Sequence, residues 1–347
     1  MTDIPTTMRA ISLSAYHPDK RDAVAALEVV ERPVPQPKHG EVLVRMIAAP
    51  CNPSDLMLLQ DAYGVTKSLP CVPGWEGAGT VVGSGGGLMA RVMQGQTVAC
   101  GGQGDFDGTW AEYFVAEADS CIPLIGGLDP VQGSTLIVNP VTALAMIDTA
   151  RDVMRSPALI NLAAASQLGR MVVELAKGDG YPVINVVRRP AQIELLESLG
   201  AEHVLLSTDD DHDEKLAALA KKLDARVALD PIAGPRTGRV LRAMPNGSRV
   251  LVYGALSGEP CADIDPLGLI FEDKHVTGFW LTQWIATQSL PALVMKTRAL
   301  QKRMRAGQIR TEVQAHVGFD DFADWYTDGG YKIASWLELL DLSKWVV

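Results

Sequence analysis

Three groups of residues have types and spacings that could do chemistry. The first is the run Leu159-Ile160-Asn161-Leu162 followed by Ala163-Ala164-Ala165-Ser166-Gln167-Leu168-Gly169. Small residues at a strand-to-helix turn let backbone N–H groups approach a pyrophosphate at a helix N-terminus, where the dipole also favours negative charge. The usual dinucleotide spacing is G-x-G-x-x-G, but here it reads A-x-x-S-x-x-G. A plain structural turn is therefore the competing reading, and the strand–helix rhythm on either side favours the nucleotide. The second group is Val187-Arg188-Arg189-Pro190, after the next apolar run. A ribose with a free 2′-hydroxyl usually meets Asp or Glu at this place, whereas two guanidinium groups can pair with a 2′-phosphate. NADPH is the expected cofactor, against a reading of two solvated arginines. The third is Tyr63, between Asn52-Pro53-Ser54-Asp55 and Gly64. A phenol with an ordinary pKa of about 10 stays protonated at neutral pH, so it can stabilise a developing oxyanion or deliver a proton. A core or rim tyrosine with a satisfied hydroxyl is the plain alternative.

Other chemistries are disfavoured by residue type. Cys51, Cys71, Cys100, Cys121 and Cys261 are odd in number, spread out and never in a C-x-x-C pair. That pattern suits reduced thiols better than a disulfide framework or zinc knot. The six histidines form no H-x-x-x-H pair, so no metal site is expected. A net charge of −10 argues against a nucleic-acid partner, which needs clustered Lys and Arg. No apolar run approaches the roughly 20 residues that span a bilayer, so no membrane partner is expected. The N-terminus MTDIPTTMRAIS has no basic segment followed by an apolar stretch, and a soluble, cytoplasmic protein is expected.

These groups need elements to position them. Residues 1–122 read as short strands separated by glycine and proline, exemplified by Glu41-Val42-Leu43-Val44-Arg45-Met46-Ile47, and imply a barrel-like β domain. Residues 123–268 alternate apolar runs with helical segments. Strands are expected at 158–162, 183–187, 203–206, 227–230 and 249–254, with helices over 168–177 and 214–223 among those between them. Continuous apolar strands alternating with helices mean a doubly wound parallel sheet covered on both faces. Residues 269–347, with a helix over 289–306, are expected to return and complete the first domain.

Four segments together resemble the zinc-free medium-chain dehydrogenase/reductase superfamily, and within it the 2-enoyl thioester reductases, with quinone oxidoreductases as more distant relatives. They are Asn52-Pro53-Ser54-Asp55 with Gln60-Asp61-Ala62-Tyr63-Gly64; Val138-Asn139-Pro140-Val141-Thr142-Ala143; Val186-Val187-Arg188-Arg189-Pro190; and Gly278-Phe279-Trp280-Leu281-Thr282-Gln283-Trp284. Gly108-Thr109-Trp110 and Tyr253-Gly254-Ala255-Leu256 are similar to two further family segments. The sequence departs from the family at Gln167, usually glycine, and in the shorter R-R-P loop. Gly330-Tyr331-Lys332-Ile333-Ala334 is only loosely similar to the family's ending, and no role is carried onto Lys332.

The resemblance implies a GroES-like β-barrel catalytic domain joined to a Rossmann domain, in a homodimer. It implies NADPH-dependent reduction of the C2=C3 bond of a 2-enoyl thioester, a small-molecule substrate. Tyr63, Asn139 and Trp280 would be the catalytic group, with Tyr63 as enolate stabiliser and proton donor. Cofactor contacts would come from Asn139, Ala165, Ser166, Gln167, Leu168, Arg188, Arg189, Tyr253, Gly254, Ala255, Leu256, Phe279, Trp280 and Leu281. In zinc-binding members a cysteine precedes the first-motif Asp by three residues and a His precedes the Glu of a G-H-E segment. Here those places hold Asn52 and Trp75, neither a zinc ligand. The rival functions are quinone reduction by the same fold and a non-catalytic NADPH-binding sensor.

Overall fold

The computed structural model describes residues 4–313, 315–320 and 345–346. The chain divides into two compact units: one runs to Val138 and resumes at Leu290, the other is Asn139–Ser289.

The first unit begins with β1 (Thr7–Leu13), α1 (Lys20–Ala25), β2 (Leu27–Pro33), β3 (Glu41–Ala48) and β4 (Pro50–Cys51). It continues through α2 (Pro53–Leu59), β5 (Glu76–Ser84), α3 (Leu88–Met93), β6 (Thr97–Gly101), β7 (Tyr113–Glu117), β8 (Ile122–Pro123) and α4 (Pro130–Gly133). An antiparallel sheet of order β7-β3-β5-β6-β8 forms its frame, and β1 pairs with β2. The Val42, Val44, Val81, Val98 and Phe114 side chains pack one core under this sheet, and Ile11, Leu13, Leu43, Leu59 and Trp110 another. This is the β-rich, barrel-like domain expected from short strands and dense turns.

In the second unit, α5 (Asn139–Asp148) and a π-helical turn over Thr149–Val153 precede β9 (Ala158–Leu162) and α6 (Gln167–Gly178). Then come β10 (Val183–Val187), α7 (Ala191–Ser198), β11 (His203–Leu206), α8 (His212–Leu223), β12 (Ala225–Asp230) and α9 (Pro235–Ala243). It closes with β13 (Arg249–Val252), α10 (Pro266–Phe271), β14 (His275–Gly278) and α11 (Leu281–Ala286). The sheet is parallel throughout, in the order β11-β10-β9-β12-β13-β14. Counted within this unit the order is 3-2-1-4-5-6, with its direction reversing between β9 and β12. Every residue of β9 and β10 is buried, as strands covered on both faces require.

The unit boundaries fall later than 122 and 268. Residues 123–138 stay with the first unit because β8 pairs with β6 and because Glu76 binds the Ile137 and Val138 amides. Residues 269–289 stay with the second because β14 extends its sheet beside β13. The return begins at α12 (Leu290–Arg305), whose Gln301 accepts from the Ile125 amide and donates to the Pro123 carbonyl. Further on, β15 (Ala315–His316) and β16 (Trp345–Val346) join β4 in a small sheet, Trp345 opposite Cys51. The rest of the expected return, including Gly330–Ala334, lies outside the described residues.

Candidate active site

In the first unit, the segment between α2 and β5 carries Tyr63. Pro53 opens α2 at a position where its missing N–H costs nothing, and the Asp55 carboxylate accepts the Asn52 amide at 2.7 Å. Beyond α2 the Tyr63 ring lies 5.2 Å from the Trp75 ring, tilted by 36°. Gln103, in the loop after β6, donates to the Tyr63 hydroxyl oxygen at 2.6 Å. On the Trp75 ring also sits Lys67, its Nζ 4.9 Å from the centroid, with Phe106 5.1 Å away. Lys67 is buried and donates to the Phe106 carbonyl, and burial lowers its pKa. The resulting stack runs Phe106–Lys67–Trp75–Tyr63.

Beneath it lies a buried carboxyl pair. Glu76 Oε1 accepts from Asn52 Nδ2 at 3.0 Å, and Oε2 accepts from the Ile137 and Val138 amides at 2.9 Å each. Asp55 Oδ1 accepts from the Trp75 amide at 3.0 Å. Burial pushes Glu76 up to about 8 and Asp55 up to about 7, against the pull of these donors toward the charged form. Asn52 and Trp75 thus serve this network and the aromatic stack. Cys51 is buried, and burial drives its thiol well above the usual range. Among the described residues no three His, Cys, Asp or Glu side chains gather as a metal site.

In the second unit the expected cofactor residues other than Asn139 follow the carboxyl ends of β9, β10, β13 and β14. Ala163 turns the chain after β9 with φ +48°, a left-handed conformation glycine adopts without strain. Ser166 caps α6, its hydroxyl accepting the Gly169 amide at 3.1 Å. A Cβ on Gly169 would lie 2.7 Å from both the Ala163 and Ala164 carbonyl oxygens. Gly169 therefore permits the close helix–strand packing that the third fingerprint glycine serves. The amides of Ala165 and Leu168 donate to no described group. Gln167 is buried, and its side-chain oxygen accepts from Arg170 at 2.8 Å, so its carboxamide is engaged along the helix.

Arg188 and Arg189 follow β10. Both amides bind the Gln192 side-chain oxygen, at 3.1 and 3.0 Å, which shapes the turn. Both side chains are exposed, and neither guanidinium has an ion-pair partner among the described residues. After β13 come Tyr253, whose amide binds the Asp230 carbonyl, then Gly254, exposed Ala255 and exposed Leu256. The Phe279 amide binds the Val252 carbonyl, exposed Trp280 caps α11 and Leu281 opens it. Asn139 is buried at the start of α5. Tyr63 belongs to the first unit, and Asn139 and Trp280 to the second.

Sequence reasoning missed Gln103, Lys67 and the Glu76 network. Gln103 and Lys67 lie in loops whose spacing carries no period. It also missed the buried Asn161–Asn185 pair, in which Asn161 Nδ2 donates to the Gly169 carbonyl at 2.9 Å and to Asn185 Oδ1 at 3.2 Å. A polar residue at the same place in two adjacent apolar strands was the available signal. A hollow of about 550 Å³ lined by Arg45, Ile47, Trp110, Val131, His316 and Phe319 is a separate feature of the first unit, and Tyr63 does not line it.

An antiparallel β domain joined in one chain to a doubly wound 3-2-1-4-5-6 sheet has the strand order of dinucleotide-binding folds, which take their ligand where that order reverses. The family description "Alcohol dehydrogenase GroES-like domain" matches residues 38–126, and "Zinc-binding dehydrogenase" matches 168–297. The human mitochondrial enoyl-[acyl-carrier-protein] reductase is 30% identical over 322 residues, covering 92% of this chain and 84% of that protein. A crystal structure from Mesorhizobium loti, provisionally assigned as an NADPH:quinone reductase, is 33% identical with a TM-score of 0.83, covering 96% of this chain and 97% of that one. The quinone oxidoreductase of Thermus thermophilus, solved also with NADPH, is 25% identical with a TM-score of 0.71, covering 92% of this chain and 95% of that one. The chain belongs to the medium-chain dehydrogenase/reductase superfamily, with enoyl reductases and quinone oxidoreductases among its relatives, and is an oxidoreductase of that family.

Proposed function

We propose that this protein is an NADPH-dependent, zinc-independent reductase of the C2=C3 bond of 2-enoyl thioesters. The observation that carries the reading is Tyr63, its ring on Trp75 and its hydroxyl bonded to Gln103, in a chain 30% identical to an enoyl reductase.

The residues present fit NADPH. The Ala163–Gly169 turn, with the Ala165 and Leu168 amides and the α6 N-terminus, would hold the pyrophosphate, and Arg188 with Arg189 the 2′-phosphate. Phe279, Trp280 and Leu281 would border the nicotinamide, and Asn139 its ribose. When bound, NADPH supplies a hydride to C3. Negative charge then builds on the thioester oxygen and C2, and with no Lewis acid the protein must meet it with hydrogen-bond donors. Tyr63 stabilises that enolate and gives its proton to C2. Zinc independence is supported by Asn52 and Trp75, whose side chains serve the Glu76 network and the Tyr63 stack.

Tyr63→Phe is expected to lower turnover of an enoyl thioester at least about tenfold, a barrier increase of about 1.4 kcal/mol. Full turnover in a folded variant would reject the assignment. Quinone reduction is the second reading, favoured by the quinone reductases among the structural relatives. A homodimer is part of the proposal: β14 is an edge strand among the described residues, and α10, which precedes it in the chain, exposes Leu267, Ile270 and Phe271. Sedimentation as a monomer at micromolar concentration would contradict it. The five free thiols support a reducing compartment, and the proposal places the protein in the cytoplasm, to be checked by fractionating cells.

A further inference from the structure

Tyr63 can act as an acid only if the phenolate it leaves behind is stabilised. The Gln103 side-chain N–H is a donor aimed at that oxygen, 2.6 Å away. A hydrogen bond given to an oxygen favours its charged form, because the donor's partial positive charge interacts more strongly with O⁻ than with OH. The Tyr63 oxygen is the acceptor of this bond.

The loop that carries Gln103 is fixed to the segment that carries Tyr63. Asp105 accepts from the Ser68 amide at 2.6 Å and from the Ser68 hydroxyl at 2.7 Å. Asp107 accepts from the Val72 amide at 2.9 Å and from Arg32 at 3.1 Å, and Lys67 donates to the Phe106 carbonyl. Within the loop, a Cβ on Gly104 would stand 2.4 Å from the Phe106 ring, so glycine allows the ring to fold back beside Gln103. Trp75 fixes the other partner by stacking on the Tyr63 ring. Both ends of the 2.6 Å bond are therefore held by independent contacts, and preorganised donors of this kind are worth most where charge develops.

We propose that Gln103 is a positioning residue for Tyr63, orienting its hydroxyl and stabilising the phenolate formed as the proton leaves. This rests on the reading of Tyr63 as the acid of enoyl reduction. In that step the Tyr63 O–H bond breaks, the enolate's electron pair forms the C2–H bond, and the negative charge passes from the enolate to the Tyr63 oxygen. Solvent then reprotonates the phenolate, which completes the proton balance after hydride arrival from NADPH.

The test uses the full-length protein and two variants, Gln103→Leu and Gln103→Glu. Tyrosinate absorbance, taken as the difference between each protein and the same protein carrying Tyr63→Phe, reads the titration of Tyr63 alone. Loss of the donor is expected to raise that midpoint by about one pH unit in Gln103→Leu, and further in Gln103→Glu, whose carboxylate opposes phenolate formation. With trans-2-enoyl-CoA, kcat is expected to fall about tenfold while KM for the thioester changes less than about threefold. Adding Gln103→Leu to Tyr63→Phe is expected to cost little more than Tyr63→Phe alone, because both remove one device. An unchanged Tyr63 midpoint in folded Gln103→Leu, or losses that simply multiply in the double variant, overturns the proposal. A raised midpoint in a protein whose enoyl turnover is indifferent to Tyr63→Phe overturns instead the reading beneath it.

Discussion

Replacing Glu76 by alanine removes one acceptor from three buried donors at once: Asn52 Nδ2 at 3.0 Å and the Ile137 and Val138 amides at 2.9 Å. Each orphaned donor costs about 1–3 kcal/mol, partly offset because a buried carboxyl is also removed. A net loss of about 3 kcal/mol follows. For a unit of this size, that corresponds to a fall of roughly 6–12 °C in its melting temperature. Calorimetry would read it as a shift of the first unit's transition. Glu76→Gln, which keeps an acceptor oxygen and the side-chain shape, is expected to lose less than half as much. The pH dependence has a definite sign. Burial raises Glu76 from 4.5 to about 8 and Asp55 from 3.8 to about 7, so across those ranges the folded state binds more protons than the unfolded one. Their contribution is complete below the unfolded values and is lost as pH rises through about 7 to 8. The first unit's melting temperature should decline across this window, and Glu76→Gln should flatten the decline. A Glu76→Ala protein within about 1 kcal/mol of the parent would refute the bookkeeping, as would a parent transition that does not fall across that window.

Two further variants address the cofactor turn. Gly169→Ala sets overpacking of about 1–3 kcal/mol against the roughly 1 kcal/mol that alanine gains over glycine in a helix. With backbone oxygens 2.7 Å from the new Cβ, the clash wins; calorimetric titration should show NADPH affinity reduced at least about tenfold, and unchanged affinity in a stabilised protein would contradict this. Arg188→Ala should raise KM for NADPH about tenfold and leave that for NADH nearly unchanged, because in the proposed complex the exposed guanidinium would meet only the 2′-phosphate. Equal effects on both cofactors, read by steady-state kinetics, would reject the phosphate clamp.

Much of the second unit was legible in the sequence because its strands are short and mostly apolar, with the central β9 and β10 buried throughout. The expected strands at 158–162, 183–187 and 203–206 coincide with β9, β10 and β11. Boundaries were less legible, since they depend on pairings distant in sequence. Nothing local in Leu290–Arg305 says that Gln301 will bond to residues 123 and 125. The Ala163 turn kept its shape without two of the glycines, with Ala163 taking the left-handed conformation and Gly169 keeping the close approach. Asn52 and Trp75 were readable as non-ligands, but their work for Glu76 and Tyr63 was not. Gln103 was invisible for the same reason: its meaning lies in a contact 40 residues away along the chain.

The central claim is the substrate. NADPH oxidation by the purified protein, with its metal content determined on the same sample, should be followed against trans-2-enoyl-CoA thioesters of short and long chain and against a quinone. The account predicts rapid oxidation with an enoyl thioester, saturated thioester as product, no stoichiometric zinc, and a kcat/KM at least about tenfold above that for the quinone. Preference for the quinone, or activity that depends on bound zinc, would contradict it.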